Sequence, residues 1–266
     1  MLFAKSCYKR NNLTECGTLR LGSLYEYRKT EETQTEDPNE GKFTYIVQFD
    51  GLVKIRRDVF ETIFGGMISL GGGEGITFPG RFDGHVLNMQ IVGGNQSKVT
   101  IRDSAALINR EALNGFIFCI SAVRKTRDAQ GIFPDYDDCW FMKASKASAL
   151  AGAMSTALLN EIKQRRESGK HVIPPSIPLE GLRVHCRHEL VTYIPRLLHI
   201  NSTTEQLINN FMRSMRDMAF IKDPKFSHEL EYRFSFTILS GNQIVPPVVN
   251  NIIIDAHDIA HWAFNS

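Results

Sequence analysis

Two glutamates and an arginine stand at alternate positions near the end of the chain, in the segment Glu229-Leu230-Glu231-Tyr232-Arg233. If this segment is a strand, its side chains alternate between two faces, so the three charged groups share one face. Two carboxylates about 7 Å apart repel each other, and the pKa of one of them rises. Such a pair suits acid–base catalysis or the stabilisation of a developing cation. The alternative interpretation is a solvated strand face that carries alternating charges.

A second group of chemically capable residues lies in the segment GTLRLGSLYEYR, residues 17–28. Arg20 and Arg28 could bind phosphate, because the planar guanidinium fork matches phosphate oxygens. Tyr25 and Tyr27 could stack on a flat ring. The alternative interpretation is a strand and a capped turn that are rich in aromatic residues.

The acidic segment DYDDCW, residues 135–140, ends a polar loop before a predicted strand. Its spacing does not match a calcium-binding loop, so it indicates either a structural loop or a pocket edge lined by Tyr136 or Trp140. Histidines at positions 257 and 261 have a zinc-compatible spacing, but the glutamate of an HExxH motif is missing. The sequence therefore predicts no metal site.

The bulk composition indicates one cytoplasmic domain that covers residues 1–266. No long linker interrupts the 266 residues, and the net charge of +2 permits a nucleic-acid partner without requiring one. The five cysteines are scattered, which favours reduced thiols over a disulfide framework. Neither a signal peptide nor a stretch of about 20 apolar residues is present, so no membrane association is expected.

The elements that must position these residues predict an α+β fold. Residues 42–101 have strand patterns interrupted by a glycine-rich segment, and GFIFCIS at 115–121 is typical of a buried central strand. A helix is predicted after an N-cap at Ser145, with a stop at Ser168-Gly169. A second helix is predicted over 202–220, with Ser202 and Glu205 as a capping box. Regular βαβ alternation is absent, which argues against a parallel doubly wound sheet.

Three segments together resemble a prokaryotic family that is similar to a distant branch of the ADP-ribosyltransferase fold. The first is FAK followed by GTLRLGSLYEYR and DPNEG, the second is FCISAV with a later DDCW, and the third is KDPKFSHELEYRFSF. Some members of this family look like toxins of bacterial anti-phage systems. The resemblance covers about half of the chain in pieces. It implies a split, twisted β-sandwich with flanking helices and with NAD in the cleft.

The resemblance also implies roles for individual residues. Glu231 would be the catalytic glutamate, and Glu229 would orient the acceptor. Lys5 and Arg20 would contact the cofactor NAD, and the ring that stacks on nicotinamide would belong to Tyr25, Tyr27 or Tyr136. Lys5 stands where the family has a histidine or arginine, and Cys119-Ile120-Ser121 replaces its Ser-Thr-Ser block.

Three functions remain open from the sequence. The first is an NAD-dependent ADP-ribosyltransferase, a defence toxin that modifies a macromolecule, with RNA or DNA favoured over protein and an antitoxin protein as a further partner. Arg56, Arg57, Arg165 and Arg166 favour the nucleic acid, although each suits a solvated face as well. The second is a non-catalytic sensor or binding domain with the same fold, and the third is an unrelated hydrolase or nuclease.

Overall fold

A computed structural model of the protein describes residues 1–29, 37–64, 67–68, 70–71, 80–195, 197–199 and 217–265. The contacts between residues divide the chain into two compact units. The first unit contains Met1–Glu40, Asn114–Val191 and Lys225–Ser266, and the second contains Gly41–Leu113 and Thr192–Pro224. That residues 1–266 form a single domain stays a prediction.

The described residues form strands that pair mostly antiparallel, together with a few helices, so the predicted α+β class is confirmed. The strands are β1 (Leu2–Cys7), β2 (Thr18–Ser23), β3 (Lys42–Arg56), β4 (Arg81–Gly94), β5 (Lys98–Glu111), β6 (Phe116–Val123), β7 (Asp138–Lys143), β8 (Leu182–Leu190), β9 (Thr192–Tyr193), β10 (Leu197–His199), β11 (Ile221–Lys222), β12 (Glu231–Ser240), β13 (Gln243–Ile244), β14 (Asn251–Asp255) and β15 (Phe264–Asn265).

The helices include one long element, and the others are short. The α-helices are α1 (Leu13–Cys16), α2 (Leu24–Tyr27), α3 (Arg57–Phe64), α4 (Ala147–Glu167) and α5 (His257–Ala260). Short 3-10 helices cover Lys9–Asn11, Thr126–Ala129, Ala144–Lys146, Met218–Phe220 and Pro224–Glu229.

The first unit is built on a nine-stranded sheet in which all pairings are antiparallel. Its strand order is β13-β12-β6-β1-β7-β15, with β8 also beside β12, β2 beside β6, and β14 beside β2. The apolar run of β6 is central in this sheet, as predicted, because both of its edges are paired. One face of the sheet packs against the main core, and we call it the core face.

Helix α4 covers the core face. Its apolar residues recur three and four positions apart, which places them on one side of the helix. That side is buried in the main core with Phe3, Phe118 and Phe234 of the sheet; the helix residues are Ala147, Leu150, Ala151, Met154, Leu158 and Ile162.

The second unit contains a four-stranded sheet in the order β10-β3-β5-β4. Helix α3 packs Val59, Phe60, Ile63 and Phe64 into its core, beside Phe49 and other apolar residues of β3 and β5. The pairs β10–β3 and β11–β9 are parallel, in contrast to the rest of the described strands.

Several sequence-based boundaries are wrong. Ser145 is not the N-cap of α4, because a 3-10 turn over Ala144–Lys146 precedes the helix and Lys146 occupies the cap without a side-chain hydrogen bond. The stop is confirmed, since Ser168 is the C-cap and Gly169 has φ of +75°. Residues 182–195 contain the nine-residue β8 followed by the short β9.

Two further differences from the sequence-based prediction concern helices. Residues 57–64 lie in the region predicted as strands, but they form helix α3. Most of the predicted helix over 202–220, including Ser202 and Glu205, lies outside the described residues, and its last residues, Met218–Phe220, form a 3-10 turn. None of the helices in the described part of the chain has the length and apolar character that crossing a membrane requires.

Shortening Leu158 to alanine is expected to lower the free energy of unfolding by about 2–5 kcal/mol, because this fully buried side chain leaves a cavity under α4. Urea denaturation followed by circular dichroism measures the loss. Gln164→Ala, at an exposed position of the same helix, is the control and should change stability by no more than about 0.5 kcal/mol. Equal losses in the two variants would contradict the packing described for α4.

Candidate active site

Glu231 is the first residue of β12, the strand between β6 and β8. In the register it faces Ser121 of β6, and its carbonyl oxygen accepts a hydrogen bond from the backbone N–H of Val191 at 2.9 Å. Only 3% of Glu231 is exposed. The carboxylate is therefore fixed at the beginning of a central strand and is not a group on a solvated strand face.

Arg233 is fully buried and is held by two carboxylates. Its Nε donates to Glu231 Oε1 at 2.6 Å, and its Nη1 and Nη2 donate to Glu40 Oε1 and Oε2 at 2.5 and 3.0 Å. Burial lowers the pKa of a guanidinium, but the charges of Glu231 and Glu40 outweigh it and raise the pKa of Arg233 above its usual range. The bidentate contact with Glu40 fixes direction as well as charge. We call these three residues the buried triad.

The structure corrects the prediction that Glu229 and Glu231 share a strand face. Glu229 ends the 3-10 helix Pro224–Glu229, and the intervening Leu230 has φ of +50°, in the left-handed region. A leucine in this region costs about 1–2 kcal/mol. Glu229 is also buried, but the strand alternation that would have placed it beside Glu231 begins only at Glu231 itself.

A turn places Glu40 beside Arg233 in the buried triad. Its backbone N–H donates to the carbonyl of Asp37 at 2.8 Å, and the N–H of Asp37 donates to the carbonyl of Tyr27 at 3.1 Å. The carbonyl of Glu40 accepts from Arg28 Nε at 2.6 Å, and the Arg28 guanidinium lies 4.2 Å from the centre of the Tyr25 ring. A chain of contacts therefore connects Tyr25 to Arg28, Arg28 to Glu40, and Glu40 to Arg233.

Arg20 and Tyr27 both lie close to Glu26. The half-exposed Arg20 donates from Nη2 to Glu26 Oε1 at 2.5 Å, and Asn251 Nδ2 donates to the same oxygen at 2.6 Å. Tyr27 packs against Gly22 so closely that a Cβ there would lie 2.6 Å from its ring. Burial raises the pKa of the Tyr27 phenol far above its usual range, and the charges of Cys119, Glu26 and Glu231 act in the same direction.

Strand registers decide which residues share a face with Glu231. Residues directly opposite each other in neighbouring strands point to the same side of a sheet. Glu231 faces Ser121, Arg233 faces Cys119, and Gly22 faces Ile117, so Arg20 of β2 is on their side as well. We call this side, which lies opposite the core face, the polar face.

Lys5 lies on the other side of the sheet. It alternates with Ala4, which faces Ser121, and it shares a side with Phe3 and Cys7 of the main core. Its Nζ donates to the carbonyl of Cys119 at 2.9 Å and lies 5.2 Å from the centre of the Phe118 ring. The structure therefore does not bring Lys5 to the face of Glu231.

Tyr136 lines a separate cavity of about 430 Å³ in the first unit. Its ring makes edge contacts with Tyr8, 5.1 Å between ring centres, and a tilted contact with Phe133. Among the lining residues, Ser6, Cys139 and Phe141 belong to the polar face, over β1 and β7. Burial raises the pKa of the Cys139 thiol to about 11, so this cysteine is no nucleophile at neutral pH.

A cavity of about 470 Å³ belongs to the second unit. None of the sequence-predicted site residues lines this cavity. Its walls come from the beginnings of β3 and β4 and the end of β5, and the lining residues are Lys42, Thr44, Arg81, Phe82, Asp83, Asn109, Arg110 and Glu111. The part of the chain that the structure describes holds no group of three or more His, Cys, Asp or Glu side chains arranged to bind a metal.

The structure thus brings Glu231, Arg20 and Tyr27 to one face, and it connects Tyr25 to them through Arg28 and Glu40. It places Glu229 off the strand, Lys5 on the core face and Tyr136 in a neighbouring cavity. Glu40 was not predicted as a site residue, although the motif DPNEG that contains it was singled out. Comparison of the chain with protein-family models, with curated protein sequences and with solved structures finds no match.

Replacing Arg233 by methionine is expected to cost about 3–5 kcal/mol of stability, because the carboxylates of Glu40 and Glu231 stay buried without the guanidinium. Chemical denaturation at neutral pH measures this loss. The triple variant Glu40→Gln, Glu231→Gln, Arg233→Met removes all three charges and should recover part of it.

Arg187→Met is the matched control for Arg233→Met. Arg187 lies on β8 and pairs with Glu189 at the surface, with both side chains nearly half exposed. Such a pair contributes no more than about 1 kcal/mol. If Arg233→Met were as stable as Arg187→Met, the buried triad would not hold this part of the sheet together.

Proposed function

We propose that the protein is an NAD-dependent ADP-ribosyltransferase-like enzyme with Glu231 as its catalytic carboxylate. The observation that carries this proposal is a fixed, buried carboxylate at the start of a central strand, with Arg20 and Tyr27 on the same face. The resemblance of three ordered segments to the ADP-ribosyltransferase-like family supports the same assignment. The family's split, twisted sandwich is proposed with it, and an antiparallel sheet covered by α4 on one face is compatible with that architecture.

The residues on the polar face have chemistry that fits NAD. The half-exposed guanidinium of Arg20 offers donors for a pyrophosphate, and the Tyr27 ring offers a surface for nicotinamide. NAD supplies a positively charged nicotinamide whose bond to ribose breaks as positive charge develops on the sugar. Glu231 would lower the barrier by meeting that charge with a carboxylate whose position is already set, because Arg233 Nε holds one of its oxygens.

The remaining residues of the sequence-based site have weaker support. In our proposal Glu229 orients the acceptor from the 3-10 turn beside Glu231, and Tyr25 stiffens the turn through Arg28. The proposal does not depend on Lys5, which lies on the core face, or on Tyr136, whose cavity is a candidate site for part of the acceptor.

We propose a nucleic-acid acceptor, RNA or DNA, because a row of basic side chains lies beside the strand of Glu231. Arg183, His185 and Arg187 alternate along β8 with exposed side chains, opposite Leu239, Thr237 and Ser235 of β12. Arg183 donates to the carbonyl of Gly241 and Arg187 pairs with Glu189, but both stay exposed. By the register the three residues are on the polar face with Glu231, and basic side chains at this spacing can follow a phosphate backbone.

The arginines that the sequence suggested contribute less to this acceptor. Arg57, Arg165 and Arg166 are only partly exposed, and each is engaged within the chain, with Glu61, with Glu161 and with backbone carbonyls of 174–177. Arg56 is exposed and pairs with Asp58. A cytoplasmic defence toxin with an antitoxin partner completes the proposal on the strength of the family resemblance.

A second candidate function is a non-catalytic sensor or binding domain with the same fold. The observation in its favour is the burial of Glu231, whose carboxylate serves the ion pair with Arg233. An unrelated hydrolase or nuclease is the third hypothesis, and no specific contact among the described residues favours it.

Glu231→Gln is expected to abolish transfer of label from NAD to cell lysate while the protein stays folded, because the amide cannot offset the charge that develops on the sugar. The assay follows radiolabel in the protein and nucleic-acid fractions, including lysates of phage-infected cells. Glu167→Gln, at an exposed carboxylate that ends α4 on the other side of the sheet, should keep wild-type turnover.

The two candidate functions give different results in this assay. Absence of label with folded wild-type protein in all lysates would reject the transferase. A sensor domain would bind its ligand equally well with glutamine at position 231. Thermal unfolding of each variant separates loss of activity from loss of fold.

Gly22→Ala tests the placement of Tyr27. A Cβ at position 22 would lie 2.6 Å from the Tyr27 ring and 2.8 Å from Glu26 Oε2, so the ring must move. We expect weaker NAD binding by calorimetry, with a cost in stability of about 1–3 kcal/mol from overpacking. Gly152→Ala, where a Cβ meets nothing within 4 Å, should leave binding unchanged. Unchanged binding in Gly22→Ala would remove Tyr27 from the site.

A further inference from the structure

Strand β4 of the second unit presents an unusual apolar surface. Within the described residues it pairs with β5 alone and ends the four-stranded sheet. Four of its aliphatic side chains are between 39% and 61% exposed: Val86, Leu87, Ile91 and Val92. Exposed aliphatic residues on an edge strand mark an interaction surface or an aggregation hazard.

The register between β4 and β5 explains why neighbouring residues are exposed together. In a regular strand one of two consecutive side chains would face the core. Here the register shifts three times, between Val86 and Asn88, between Asn88 and Gln90, and between Ile91 and Gly93, so Leu87, Met89 and Val92 have no partner residue on β5. The bulges turn the side chains of Leu87 and Val92 outward, beside the exposed Val86 and Ile91. Such bulges are common at the edges of sheets.

The order of side chains in this segment is symmetric. The sequence Val86-Leu87-Asn88-Met89-Gln90-Ile91-Val92 has the same types of residue in both directions from Met89. The partly buried Met89 is the centre, an amide flanks it on each side, and two exposed aliphatic residues follow on each side. The segment contains neither a charge nor a proline, two of the devices that keep edge strands from pairing.

We propose that β4 is the dimer interface of this protein, with a second copy of the chain as its occupant. A two-fold interface brings the same surface of both copies together, so it requires a self-complementary order of side chains. With the axis at Met89 and the strands antiparallel, Leu87 of one copy faces Ile91 of the other, Val86 faces Val92, and Asn88 faces Gln90. The aliphatic residues are removed from water, and the amide of Asn88, whose nitrogen donates to the carbonyl of Asp103 in the same chain, faces the amide of Gln90. This inference does not depend on the enzymatic proposal.

The proposed register predicts the outcome of a charge exchange. Leu87→Glu and Ile91→Lys should each raise the dimer dissociation constant at least about tenfold, because a charge would face an aliphatic side chain. When the two variants are mixed, Glu at 87 faces Lys at 91, with Cβ atoms about 5 Å apart, and the second Leu–Ile pair is intact. The mixture should therefore form a heterodimer. Sedimentation velocity over a range of concentrations measures each state.

Leu52→Glu is the matched control, because Leu52 is an equally exposed leucine of the same sheet, on β3. It should leave the dimer as stable as in the wild type. Circular dichroism and thermal unfolding confirm that each variant is folded, as expected for exposed positions. A wild type that is monomeric at every concentration would overturn the proposal. So would Leu87→Glu protein with the dissociation constant of the wild type, or a mixture of the two charged variants that dimerises no more tightly than each variant alone.

Discussion

The buried ion pairs of Arg233 are the interaction on which the first unit depends. A fully buried guanidinium is stable only when carboxylates and hydrogen bonds replace the water that it loses. Glu231 supplies one from two residues away, and Glu40 supplies the other from 193 residues away in sequence. The turn that carries Glu40 is therefore tied to β12, and with it α2 and the Tyr25–Arg28 contact. A single side chain thus organises most of the candidate site.

The alternation of side chains on strands then decides which residues can act together. Neighbouring positions on β1 and on β12 point to opposite sides of one sheet, and α4 closes one of those sides with apolar residues. Arg20 and Glu231 are therefore on the polar face, whereas Lys5 is directed to the core face, where it donates to a backbone carbonyl. A sequence motif cannot show this difference until the strand pairing is known, since a shift of one residue exchanges the two faces.

The same physical rule explains how far the sequence could be interpreted. Helical spacing predicted α4, and the apolar run predicted β6, because both patterns are long and local. Strand alternation correctly placed Glu231 and Arg233 on one face. It failed for Glu229 because Leu230 adopts a left-handed conformation, which its residue type disfavours. Helix α3 carried a usable signal, since Val59, Phe60, Ile63 and Phe64 follow helical spacing. The partnership of Glu40 with Arg233 is non-local, and no local pattern reveals it.

The proposed role of Glu231 requires its carboxylate to do more than accept a hydrogen bond from Arg233. A carboxylate in a site with little water exerts a stronger field than one in solvent, so burial favours transition-state stabilisation once a substrate is present. The hydrogen bond from Arg233 has two opposing effects. It orients the carboxylate in advance, as electrostatic catalysis requires, and its positive charge offsets part of the field. The second effect is limited, because Arg233 directs its other two nitrogens to Glu40, whose negative charge opposes that of the guanidinium. In the proposed transferase, Glu40 would thereby preserve the negative field with which Glu231 stabilises a cation.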